Sequence, residues 1–185
     1  QNPSPRRIDG ELQLLCTSSE EIIMTAQTNE FPKEQLYEVL PYFPRSYVQI
    51  FPKDYKDSDG WKISIQGKSV DDVKFLCERL YDFLYFENVS FKVKTQRGFD
   101  VLQRLDNAHT REQVSKVFTI YCPKDIDIHD LCKMVEEKIT DYKGHKGIPP
   151  PSAYKHYAGG MYIRNDRDKD GNYVSTEAEA MAKVS

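Results

Sequence analysis

DGWKISIQG (Asp59–Gly67) is the stretch that decides the fold. Trp61, Ile63 and Ile65 alternate with Lys62, Ser64 and Gln66, the two-residue period of a half-buried strand. PKDYKDSDG (Pro52–Gly60), just before it, reads as a turn or loop. After it, Val73, Leu76, Cys77, Leu80 and Leu84 recur at helical spacing. Val89, Phe91 and Val93 then alternate with Ser90, Lys92 and Lys94 in a second strand. Residues 97–115 are polar, with a short helix expected around Phe99–Leu105. Phe118, Ile120 and Cys122 alternate with Thr119 and Tyr121 in a third strand, and Ile128, Leu131, Cys132, Val135 and Ile139 mark a second long helix. Beyond GHKGIPPPSAYKHYAGG (Gly144–Gly160), Met161 and Ile163 alternate with Tyr162 and Arg164 in a fourth strand.

The order β-α-β, repeated, predicts an α+β protein of split βαβ type: an antiparallel sheet, two main helices on one face, and the first and third strands in the middle. Residues 59–177 form this domain, and 178–185 are a tail. Residues 1–58 are expected as a mostly helical extension packed on it, with Gln1–Gly10 a flexible lead-in. Within the extension, Leu12–Cys16 reads as a strand. Ser19 caps a helix through Gln27, with Glu20 and Glu21 suited to its N-terminal dipole. Pro32 opens a helix carrying Leu36, Val39 and Leu40 that ends at Pro41, and Ser46–Phe51 is extended.

A chain of 185 residues has the size of one domain, and 39% hydrophobic with 12% aromatic residues argues against intrinsic disorder. The net charge of −3 disfavours a general nucleic-acid or acidic-membrane binder, so any anion site must come from local placement of charge. Cys16, Cys77, Cys122 and Cys132 form no CxxC pair and read as free thiols of a reducing compartment, which points to a cytoplasmic protein. No run approaches the roughly 18 apolar residues of a membrane span, and no hydrophobic leader is visible.

With the helices over Trp61, Ile63, Phe91, Phe118 and Ile163, the opposite face collects Lys62, Ser64, Gln66, Lys92, Lys94, Thr119, Tyr121, Tyr162 and Arg164. That set holds four cations and no carboxylate, although acids outnumber bases in the chain. Lysines on a wet sheet face also protect edge strands. Alternating signs are the usual way to stabilise such a face, and their absence points to an anion site.

DGWKISI (Asp59–Ile65), VSFKV (Val89–Val93), VFTIYCP (Val117–Pro123) and GGMYIRN (Gly159–Asn165) resemble, in order, segments of the phosphothreonine-lyase fold. That group includes the OspF/SpvC type III effectors and the lyase domains of class III and IV lanthipeptide synthetases. GIPPPSAYKH (Gly147–His156) is similar to a segment of the Hop-type effectors. The resemblance covers roughly residues 59–177 and implies β-elimination of phosphate from phosphothreonine or phosphoserine in a peptide or protein. It assigns Lys62 as the base that removes the Cα proton. Lys92, Arg111, Tyr162, Arg164 and Arg167 become the phosphate-binding set, with Lys169 an alternative to Arg167. Such chemistry needs cations because a leaving dianion and a developing enolate must both be stabilised. A lysine base also needs its proton affinity lowered by burial or by neighbouring cations. Ser64 stands where the family's catalytic histidine would be, and a hydroxyl is a poor acid at neutral pH. His109, His145 or His156 could supply the proton from elsewhere, or phosphate could leave unaided. Alternatively the same basic cleft serves a non-catalytic effector or interaction protein. An effector would be exported to a host cytosol. The resemblance implies no cofactor.

DRDKDGNYVSTE (Asp166–Glu177) matches a calcium-loop pattern, with Asp166, Asp168, Asp170 and Glu177 as oxygen ligands. The segment before it reads as a strand instead of a helix, and Val174 offers no side-chain oxygen, so no metal is expected. RNA binding would need more aromatics than Tyr121 and Tyr162 on the middle strands.

Overall fold

The computed structural model describes residues 6–8, 12–16, 21–26, 33–104, 115–151 and 153–174, the first three segments and 102–104 by their backbone alone. In chain order the elements are β1 (Arg6–Ile8), β2 (Leu12–Cys16), β3 (Glu21–Ala26), α1 (Lys33–Val39), β4 (Tyr47–Phe51) and β5 (Ser58–Gln66). They continue with α2 (Val70–Phe86), β6 (Phe91–Lys94), α3 (Gln96–Arg104), β7 (Lys116–Pro123), α4 (Ile128–Lys138), β8 (Lys155–Ala158) and β9 (Met161–Asn165).

Among the described residues nine strands join one sheet in the order β1-β2-β3-β4-β6-β7-β5-β9-β8. Every pairing is antiparallel except β3 with β4. The α+β class stands, and β5 and β7 lie between β6 and β9, as the strand order predicts. The sheet runs unbroken from the N-terminal extension into the later strands through the β4–β6 pairing.

The extension differs from expectation. Within the helix placed on residues 19–27, Glu21–Ala26 is instead β3, paired with β2 on one side and β4 on the other. Three successive apolar residues, Ile22, Ile23 and Met24, suit a strand paired on both edges better than an amphipathic helix. Within the expected lead-in, Arg6–Ile8 pairs with β2. Backbone pairing thus makes the extension mainly strand, with α1 its helix among the described residues.

Helices α2 and α4 form where the apolar stripes lie. Ser69 caps α2 by accepting from the Asp72 amide, and Asp127 caps α4 by accepting from those of His129 and Asp130. Their buried faces meet Val48, Ile50, Ile63, Ile65, Phe91, Val93, Phe118 and Ile120 in one core. Phe91 stacks on Phe118 with ring centroids 5.3 Å apart, and Tyr81 meets Phe91 edge-on at 5.4 Å. Cys77, Cys122 and Cys132 are buried free thiols in this core, as their spacing predicts. Burial pushes the Cys122 and Cys132 thiols up to about 12, so neither is a nucleophile at neutral pH. Among the described residues no helix is long and apolar enough to cross a membrane.

Candidate functional site

The sheet face opposite the core is built from rows of registered residues. One row crosses six strands as Gln49, Lys92, Thr119, Ser64, Tyr162 and His156. The next row toward one end sets Lys62 between Tyr121 and Arg164. On the other side, Tyr47 faces Lys94. Opposed residues on antiparallel strands share a face, so strand parity brings these side chains together.

Lys116 joins them, although its even spacing from Phe118 and Ile120 predicts a core position. A register shift at Ile65/Gln66 sets Lys116 opposite Gln66. Such a bulge inserts one residue and reverses the facing of what precedes it. Lys62 and Lys116 both lie against the Tyr154 ring, their Nζ atoms 5.7 and 4.9 Å from its centroid. Lys92 and Lys94 share Tyr47, at 4.6 and 5.8 Å, and Lys94 also lies 5.2 Å from the Phe99 ring. Tyr154 comes from the proline-rich loop, whose Ile148 carbonyl accepts from Gln66 Nε2 at 3.0 Å.

Much of this face is buried. Lys94, Lys116, Arg164, Thr119 and Ser64 are all buried, Lys94 and Ser64 to 1% exposure. The Ser64 hydroxyl oxygen has no hydrogen-bond partner among the described residues. Burial pushes the Lys62 amine below its ordinary value, as do the charges of Lys92 and Arg164, while the Asp166 carboxylate pulls the other way. Burial, with the Lys116 and Lys92 charges, brings Lys94 down to about 7.

The face is not free of carboxylates. Asp166 follows Arg164 by two residues and so faces the same side. Its Oδ1 lies 3.0 Å from Lys62 Nζ and 3.0 Å from Arg164 Nε. Arg164 also donates to the Val174 carbonyl, so a buried guanidinium that the resemblance gives to phosphate holds a hairpin in place. Arg167 does similar work: its Nε donates to the Asp59 carbonyl at 3.0 Å and its Nη1 to the Gly171 carbonyl at 3.1 Å. Arg111 and His109 lie outside the described residues. His145 is bound to Asp72 at 2.7 Å, beside the start of α2. His156 lies in the Ser64 row, its ring 5.1 Å from that of Tyr162 and its Nε2 2.9 Å from the Gly159 carbonyl.

Two acids of the calcium pattern have other partners. Asp166 is turned to Lys62 and Arg164, Asp168 Oδ1 accepts from the Asp170 and Asn172 amides, and Glu177 lies outside the described residues. Among the described residues no group of three acidic, histidine or cysteine side chains could hold a metal ion. The turn residues serve a hairpin closed by the Arg167–Tyr173 bridge instead.

Lys94, Lys116, Tyr154 and Asp166 are the members of this cluster that strand reading does not single out as binding groups. Lys94 carries the parity of Lys92, and Asp166 that of Arg164, so both were within reach of the alternation. Lys116 and Tyr154 depend on a bulge and on loop closure, which leave no periodic signal. No protein-family model and no curated protein matches the chain.

Proposed function

We propose that the lysine face binds a phosphothreonine- or phosphoserine-containing peptide or protein, and that Lys62 draws the Cα proton so that phosphate leaves. The observation that carries this reading is the Lys62 amine itself. It is largely buried, and its proton affinity is lowered by burial first, with the Asp166 carboxylate opposing and the Lys92 and Arg164 charges adding to the effect. A lysine in that setting can act as a base, and the neighbouring cations favour the charge on a leaving phosphate.

In the elimination, Lys62 Nζ accepts the Cα proton and the C–H electron pair forms the Cα=Cβ bond. The bond from Cβ to the ester oxygen breaks, and phosphate departs with that oxygen. Phosphate then takes up a proton from water or a neighbouring acid. Tyr162, opposite Ser64, and His156 beyond it carry exchangeable protons in the same row.

Ser64 favours a second reading, a non-catalytic interaction protein that holds a phosphorylated partner in the same place. Its hydroxyl is a poor acid where the resembled family has a histidine. Mass spectrometry of phosphopeptides after incubation separates the two. Loss of the elements of phosphoric acid means elimination, loss of HPO3 means hydrolysis, and an unchanged but bound peptide supports the second reading. Peptides neither bound nor changed would remove both.

A further inference from the structure

One carboxylate oxygen, Asp166 Oδ1, meets both Lys62 Nζ and Arg164 Nε at 3.0 Å. The residue is well fixed, since its amide donates to the Gly60 carbonyl at 2.9 Å and its carbonyl accepts from the Val174 amide at 2.6 Å. The Lys62 and Asp166 side chains are each 13% exposed, so the pair is largely shielded from solvent screening. Lys62 therefore already has an anion beside it, supplied by the chain.

We propose that Asp166 is a built-in competitor for the anion seat at Lys62, so that a dianionic phosphoryl group enters by displacing it whereas a singly charged group does not. This rests on the reading of the face as a phosphopeptide site. The selectivity follows from charge exchange. A carboxylate or phosphodiester arriving at Lys62 replaces one single-charge pair by another and gains little. A phosphomonoester brings close to two charges and three strong acceptor oxygens, which Lys62 and Lys92 can meet together. Arg164 Nε, the second partner of the same oxygen, is the counter-ion left to Asp166 after release. Asp166 is thus a specificity-determining residue that excludes acidic side chains from a site built for phosphate.

Calorimetric titration of the full chain with N-acetyl phosphothreonine amide, its methyl phosphodiester and N-acetyl glutamate amide tests this. Wild type is expected to bind the phosphomonoester at least about tenfold more tightly than either monoanion. Asp166→Asn is expected to bind all three more tightly, by roughly tenfold, which brings the monoanions into the measurable range. The wild-type ratio needs no variant, so an absent preference overturns the inference even if Asp166→Asn melts early. Phosphomonoester binding by wild type that glutamate equals, or that a folded Asp166→Asn does not tighten, overturns the inference alone. No binding of any probe to either chain overturns the phosphopeptide reading and the inference with it.

Discussion

Gly98 lies so close to Lys94 that a Cβ on it would come within 2.7 Å of Lys94 Cγ and 2.3 Å of the Ser46 carbonyl oxygen. Thr95 creates this approach. Its Oγ1 accepts from the Gly98 amide at 3.1 Å, capping α3, and donates to the Arg45 carbonyl at 2.6 Å. The first turn of α3 is thereby pressed onto the lysine face, and Lys94 is closed in.

Gly98→Ala is accordingly expected to destabilise the fold by about 2 kcal/mol or more, because the atom it meets first is backbone and cannot rotate away. Urea unfolding measures it. A loss below about 0.5 kcal/mol would mean that α3 shifts freely.

Lys94 should make stability depend on pH. Its amine is lowered to about 7 from the usual lysine value of 10.5, so between those values the unfolded chain holds the proton and the folded chain does not. Stability therefore rises with pH across that window, and the full penalty for a buried charge is present below it. Lys94→Met should be more stable than wild type at about pH 6 by the order of a few kcal/mol, the advantage fading as pH approaches 10.5. A difference in denaturation midpoint that stays constant with pH would contradict this.

Ser64→Ala should leave the ligand-free protein as stable as before, or more stable by about 1 kcal/mol, because it removes a buried hydroxyl oxygen with no partner among the described residues. Thermal unfolding reads this directly. A clear loss of stability would show that the hydroxyl is satisfied, by a buried water for example.

Lys62→Ala should separate chemistry from binding. With the base gone, the dehydrated product should fall by about a hundredfold or more. Affinity for the phosphopeptide should fall only about tenfold, since Lys92 and the other cations of the face remain. Product measured by mass spectrometry and affinity by titration that decline in equal proportion would argue that Lys62 only binds.

Legibility followed the physics of each element. Trp61–Ile65, Phe91–Val93 and Phe118–Cys122 alternate because one side of each strand is core, so periodicity placed them, and α2 and α4 show equally plain stripes. Segment 19–27 misled because Ser19, Glu20 and Glu21 read as a helix start, whereas pairing with β2 and β4 decides the conformation of Glu21–Ala26. The basic face could be read from parity for Lys62, Lys92, Lys94 and Arg164. The state of those groups could not.

The amino-acid sequence by itself determined the α+β class, the order of the four main strands and the face on which most of the cations gather, because alternation with period two is a local property of the chain. Tertiary structure alone decided what each cation does. Whether Arg164 is open to a ligand or clamped to Asp166 and Val174 depends on a hairpin folding back over the strand. Whether Lys116 faces the core or the cluster depends on one bulge in its own strand, where β7 carries a residue more than β5 between two pairings. Proton affinity is set by burial and by charges brought close in space from residues distant in the chain, and so Lys94 became the amine lowered to about 7.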